Sequence, residues 1–180
     1  MSNDLKFKIS HKVTEDNSSN FTIKPLDRGY GITIGNSLRR ALLTAVPGAA
    51  ITNVKIEGAH HEFSTIDGVT EDVADIIMNL KGVRFHLFES KVEPLFLKVK
   101  GPNAFTAADI QAVSDDFTIL NPDHHITDIA KGTTLEVELR LGIGKGYKSS
   151  EENKLNNSPV GMIPIAVSYT HLTLPTNLSV

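Results

Sequence analysis

Apolar and polar positions change period several times along the chain. Ile34, Leu38, Ala41, Leu42 and Ala45 recur at i, i+4, i+7, i+8 and i+11, the spacing of one helix face, and Pro47-Gly48 stops that run. From Ala49 the period drops to two. Ala50, Thr52, Val54 and Ile56 then share one side of a half-buried strand. Helical spacing returns over Val69–Leu80, with Val73, Ile76, Ile77 and Leu80 as the apolar face. Thr70, Glu71 and Asp72 at its start offer a hydroxyl cap and acids that suit the helix dipole. Lys81-Gly82 offers a cation and a glycine able to adopt a left-handed cap.

The rest of the pattern is strand-like. Arg84–Phe88, Leu95–Lys100, Phe117–Leu120 and Thr134–Leu141 alternate or carry β-branched residues. Phe21–Leu26 alternates through Ile23, and Pro25 confines it to an edge or a strand end. Residues 1–20 read as a polar mobile arm with one strand around Leu5–Ile9. Asp27–Gly31 reads as a glycine-punctuated turn, and Gly142–Pro159, rich in Gly, Ser, Asn and charge, as a long surface loop. A few helices beside largely antiparallel sheets make the fold class α+β.

Composition narrows the function. With 180 residues and 40% hydrophobic content, one or two compact domains can bury a core without staples. A net charge of −3 points to neither nucleic acid nor membrane. The absence of cysteine excludes disulfides, thiolate chemistry and cysteine-ligated zinc, and fits a reducing cytoplasm. The charged N-terminus has no apolar core of a secretory signal, and no window approaches the length of a membrane span.

Candidate chemistry is sparse. His60-His61 and His124-His125 are adjacent pairs, and neighbours on a strand point to opposite faces, so neither pair chelates a metal alone. They read as surface-loop histidines. Gly142-Ile143-Gly144-Lys145-Gly146 lacks the Lys-Ser/Thr ending of a phosphate-binding loop and opens no apolar helix. The acid pairs Glu71-Asp72 and Asp115-Asp116 are better explained by capping and solvent than by catalysis.

One stretch is far more specific. Leu26-Asp27-Arg28-Gly29-Tyr30-Gly31-Ile32-Thr33-Ile34-Gly35-Asn36-Ser37-Leu38-Arg39-Arg40-Ala41-Leu42-Leu43 closely resembles the first helix region of bacterial RNA polymerase alpha subunits. His61-Glu62-Phe63-Ser64-Thr65, Gly68–Val73, Asn79–Gly82, Thr106–Ile110, Gly144–Tyr147 and Pro159–Ile165 are similar to further segments of that family, although Ser158 stands where the family usually has Arg. The likeness runs from about Phe21 to Ile165. The string from Ala166 resembles a read-through translation of a transposase sequencing adapter, so residues 166–180 are expected to be a non-native tail.

The resemblance implies a non-catalytic assembly scaffold: an alpha homodimer that recruits the beta and beta-prime subunits, where RNA synthesis resides. It implies no cofactor, no metal, a cytoplasmic location, and DNA contact only through the complex. It implies a dimerisation part, begun here by residues 1–47, interrupted by an inserted, mostly antiparallel β part, here 48–165. The second half of the dimerisation part and the DNA-binding C-terminal domain are expected to be missing. By resemblance, a subunit interface is formed by Arg28, Asn36, Leu38, Arg39, Arg40, Leu42 and Leu43, with Arg40 matching a family arginine needed to bind beta, by His61, Glu62 and Ser64 in a second beta-contacting loop, and by Lys81, matching a position linked to the large subunits. Arg39 and Arg40 point about 100° apart on a helix, so one can pair locally while the other reaches a partner. Leu42, Leu43 and Val46 widen the apolar surface beyond one stripe, and exposed apolar surface is expected on the helix Ile34–Val46.

Two other classes make distinguishable demands. A small α+β enzyme would bring His60–Glu62 and His124–Asp128 together in one pocket. A nucleic-acid-binding module would cluster Lys81, Arg84, Lys98 and Lys100.

Overall fold

The computed structural model describes residues 7–15, 18–88, 93–155 and 159–169. These fall into two compact units, one ending at Leu42 and one beginning at Leu43.

The first unit opens with strands β1 (Lys8–Glu15) and β2 (Ser18–Lys24), paired antiparallel from Lys8 opposite Lys24 to Val13 opposite Ser19. The polar arm expected here is therefore a hairpin. Its signal was the alternation of Ile9, His11 and Val13, diluted by lysines and serine between them. The expected strand at Leu5–Ile9 lies partly outside the described residues. Cross-strand neighbours His11 and Phe21 stack with ring centroids 4.6 Å apart. Ile9, Val13 and Phe21 are all exposed. Pro25 follows the last residue of β2, as a residue without an N–H donor must.

Helix α1 (Tyr30–Ala45) begins four residues before the periodic run, so the expected glycine turn already contains its first residues. The turn itself is made by Gly29, whose φ of +86° is left-handed backbone that a side chain would strain. The Tyr30 amide donates to the Asp27 carbonyl at 3.1 Å.

In the second unit, β3 (Pro47–Ile56) is the central strand, not the half-buried one its alternation suggests. Residues Ala49 to Val54 are all buried. Thr52 is an extra residue between the pairs Ile51–Leu141 and Asn53–Arg140, so the alternation breaks there. Helix α2 (Val73–Lys81) buries Val73, Ile76 and Leu80 in the common core. Its cap is Asp72, not Thr70: the carboxylate accepts the Asp75 amide at 2.8 Å. Asp72→Ala should cost about 0.5–2 kcal/mol, read by urea unfolding, whereas Thr70→Ala should be silent. Gly82 ends α2 in right-handed backbone, contrary to the left-handed cap expected. Glycine is required there because a Cβ would lie 2.6 Å from His124 Nε2.

Strands β4 (Phe85–Leu87) and β5 (Leu95–Lys100) follow, then β6 (Asn103–Thr106), the short helix α3 (Ala107–Gln111), β7 (Phe117–Ile119), β8 (His125–Ile129) and β9 (Thr134–Lys145). The main sheet runs β5-β9-β3-β4-β7, and β6 pairs with β8 apart from it. β6, α3 and β8 were not anticipated. A signal for α3 was present in Thr106 and Asp109, three residues apart: the Thr106 amide donates to the Asp109 carboxylate at 2.8 Å. On β5 and β9, Leu95, Leu97, Val99, Leu135, Val137 and Leu139 face the core. The opposite face is charged, with Lys98 paired to its cross-strand neighbour Glu136 and Arg140 to Glu138.

The expected surface loop from Gly142 is largely ordered. β9 continues through Lys145 against Pro47–Ala50. Then come β10 (Tyr147–Lys148), the one-turn helix α4 (Ser150–Asn153), β11 (Met162–Pro164) on β3, and β12 (Val167–Ser168) on β10. Ser149 and Glu152 form a reciprocal cap at the start of α4, a sequence signature of a helix start. The buried Asn153 ties three segments together: its backbone carbonyl accepts from Asn53 Nδ2 at 3.0 Å and its side-chain Nδ2 donates to the Ile165 carbonyl at 2.8 Å. The stretch expected to be a non-native tail is described through residue 169, where Val167 and Tyr169 are buried. The Tyr169 ring lies over Gly144, and its carbonyl sits where a Cβ on Gly48 would be. Glycine in these strands thus marks close approach of another chain segment, not flexibility. Residues 170–180 lie outside the described set.

Candidate functional site

The residues singled out by resemblance divide between the units. Arg28 is exposed in the turn before α1. Asn36, Leu38, Arg39, Arg40, Leu42 and Leu43 lie on α1. This 16-residue helix buries no side chain, with Ile32 58% and Leu38 46% exposed. Leu42, Leu43 and Val46 are exposed too, so the helix carries apolar surface on more than one side. Arg39 donates from Nη1 to Asn36 Oδ1 at 3.1 Å, one turn back, and the adjacent Arg40 is exposed. Ser37 Oγ donates to the Thr33 carbonyl at 2.8 Å, which satisfies the hydroxyl within the helix.

The second group sits in the connection between β3 and α2. Ser64 organises it. Its Oγ accepts the amides of His60 and His61, both at 3.3 Å, and lies 3.2 Å from His61 Nδ1. The Ser64 carbonyl accepts the Val73 amide at 3.1 Å, which clips the loop to the start of α2. The loop presents Glu62 and, 79% exposed, Phe63. Phe63 was not among the expected site residues, although an aromatic inside a matched loop was a legible signal. Lys81 is exposed at the far end of α2, about 12 Å along its axis from the Ser64 clip, and its charge suits the helix dipole there. The structure therefore groups His61, Glu62 and Ser64 but not Lys81.

His61 and His124 do not converge into one pocket. His124 Nε2 donates to the Asn79 carbonyl at 2.8 Å, satisfying the C-terminal end of α2, whereas His61 is tied to its N-terminal end. Of the basic residues a nucleic-acid module would cluster, Lys98 is paired with Glu136 across the strands. Glu71, read as a solvated or capping acid, instead joins α2 to β8. Its Oε2 accepts the Thr127 hydroxyl at 2.6 Å and the Asp128 amide at 3.0 Å. Burial pushes the Glu71 carboxyl up, but these two bonds, together with its own backbone amide and the nearby His125, outweigh it and hold the pKa below the usual value.

The second unit is an α+β domain built on a central sheet. The family model described as the RNA polymerase Rpb3/RpoA insert domain matches residues 54–170, and the chain belongs to that family. The match includes residues 166–169 of the expected tail.

Among curated proteins, the chain is similar to the DNA-directed RNA polymerase subunit alpha of Salinibacter ruber, 51% identical over 155 residues, covering 86% of this chain and 47% of that protein. It is similar to the subunit of the same name from Chloroherpeton thalassium, 47% identical over 150 residues, covering 83% of this chain and 46% of the relative. The subunit alpha of Limosilactobacillus reuteri is 50% identical over 163 residues, covering 89% and 52%. The chain spans about half the length of the curated relatives it matches. Among the described residues, no helix is long and apolar enough to cross a membrane.

Proposed function

We propose that this chain is a non-catalytic assembly scaffold of DNA-dependent RNA polymerase, which pairs with a second copy and recruits the beta and beta-prime subunits. Family membership supports the subunit role. The observation that carries the interface reading is α1, a 16-residue helix without one buried side chain. An amphipathic helix gains most of its stability by burying its apolar face. Leu38, Leu42 and Leu43 leave that contribution to a partner. The hairpin of the first unit exposes Ile9, Val13 and Phe21 as well. In this reading α1 serves the second copy and a large subunit, and the His61–Ser64 loop and Lys81 add contacts to the large subunits. Nothing in the scaffold role calls for a cofactor, and DNA is reached through the assembled enzyme.

The test is co-purification of the beta subunit with this chain and with a version whose segment after Ile165 is replaced by the continuation found in the relatives. The extended version is expected to dimerise in light scattering and to capture beta. If neither version captures beta under conditions where a relative's alpha subunit does, the scaffold reading is wrong.

A further inference from the structure

We propose that Glu71, His125 and Asp128 form a binding site for a divalent transition metal of the zinc class on the surface of the second unit. A carboxylate oxygen of each acid and a ring nitrogen of His125 all lie within 4.8 Å of one another. His125 Nε2 is 3.4 Å from Asp128 Oδ1, and its Nδ1 is 3.9 Å from Glu71 Oε1.

The convergence is built by the backbone. Residues three apart on a regular strand point to opposite faces. In β8 the pairing steps from Thr127 opposite Phe105 to His125 opposite Thr106, which leaves Ile126 as an extra residue. The bulge turns Ile126 and Thr127 inward together, and His125 and Asp128 outward together. Glu71 is delivered to the same point by a second connection. The Thr70 amide donates to the Asp128 carbonyl at 3.0 Å, and the Ala130 amide to the Gly68 carbonyl at 2.8 Å. With Oε2 held by the Thr127 hydroxyl and the Asp128 amide, Oε1 is the oxygen left toward His125. A ligand carboxylate oriented by hydrogen bonds to its other oxygen is the usual support of a metal site.

The donor set selects the ion. One imidazole and two carboxylates suit Zn2+, Co2+ or Ni2+, whereas Mg2+ and Ca2+ prefer six or more oxygens. Metal–ligand bonds of about 2.0–2.2 Å ask the three donor atoms to close to roughly 3.3 Å, so the exposed His125 and Asp128 side chains would move toward Glu71, which is held in place. Three protein ligands leave the fourth position to water. The ion would staple the approach to α2 onto β8. The proposal does not depend on the scaffold reading.

The experiment uses the whole chain, titrated with Zn2+ by calorimetry and with Co2+ by visible absorption, which reports the coordination geometry directly. One ion per chain is expected, with both His125→Ala and Asp128→Asn weakening it by at least about tenfold. Thr127→Val, which frees the Glu71 carboxylate without removing a ligand, should weaken it by about 10- to 100-fold. Circular dichroism checks that each variant folds. If His125→Ala and Asp128→Asn both bind Zn2+ as the parent chain does, or the parent chain shows no Co2+ ligand-field bands, the cluster is an ion pair only and the proposal is overturned.

Discussion

Arg40→Ala in a full-length alpha subunit carrying this sequence is expected to leave the dimer intact and to weaken beta binding by about 2–4 kcal/mol, roughly 30- to 1,000-fold. Arg40 is exposed on α1, one turn before the exposed Leu43, on a helix with no buried residue. Its neighbour Arg39 bonds Asn36 one turn back, and the two side chains leave the helix about 100° apart although they are adjacent in sequence. An arginine at the centre of an interface presents five donors in a planar fork, and its truncation strands the partner's acceptors without water. Arg40→Lys keeps the charge but not the fork, so it should recover only part of the loss. Arg39→Ala should cost less, because its bond to Asn36 is exposed and local. Light scattering reads the dimer and a quantitative pull-down reads beta capture. Undiminished capture by Arg40→Ala would remove Arg40 from the interface.

Tyr169→Ala is expected to destabilise the second unit by about 3–5 kcal/mol, as truncation of a buried aromatic does. Tyr169 is 5% exposed, its amide donates to the Gly146 carbonyl at 2.9 Å, and its ring covers Gly144 of β9. Tyr169→Phe should be nearly neutral at pH 7 and should differ at alkaline pH. Burial raises the Tyr169 pKa, so the folded chain keeps a proton that the unfolded chain releases above about pH 10. The stability tied to that proton is complete below the unfolded value and is lost as pH rises through the folded one. Urea unfolding at pH 7 and pH 10.5 should therefore show a smaller alkaline loss for Tyr169→Phe than for the parent chain. If Tyr169→Ala is silent, the fold ends before residue 166, as the adapter-like string suggests; a large loss means that at least the first residues of that string complete the domain.

The sequence was most informative where one face of an element is buried and the other is wet. The face of α2 (Val73, Ile76, Leu80) and the alternation of β5 were legible for that reason, since a local repeat of 3.6 or 2 then mirrors the environment. It misled where that condition fails. β3 is covered on both sides and bulged at Thr52, so its alternation describes no single face. Gly142 and Gly144 look like loop residues, yet they are strand positions kept small, Gly142 by Thr52 and Gly144 by the Tyr169 ring. Capping pairs at Thr106 and Ser149 were readable but lay in segments whose composition suggested loops.

For the candidate interface, the sequence alone determined the family-like segments, the two arginines and the surplus of apolar residues on one helix, because those are properties of contiguous residues. Only the tertiary structure decided that this helix buries none of them, that Ser64 shapes the loop presenting Phe63, and that Lys81 stands apart at the other end of α2. The same holds more sharply for Glu71, His125 and Asp128. No spacing in the chain brings Glu71 to His125, and the alternation of a regular strand would separate His125 from Asp128. A one-residue bulge and a backbone bond between Thr70 and Asp128 put the three together, and such long-range pairing has no local signature from which to read it.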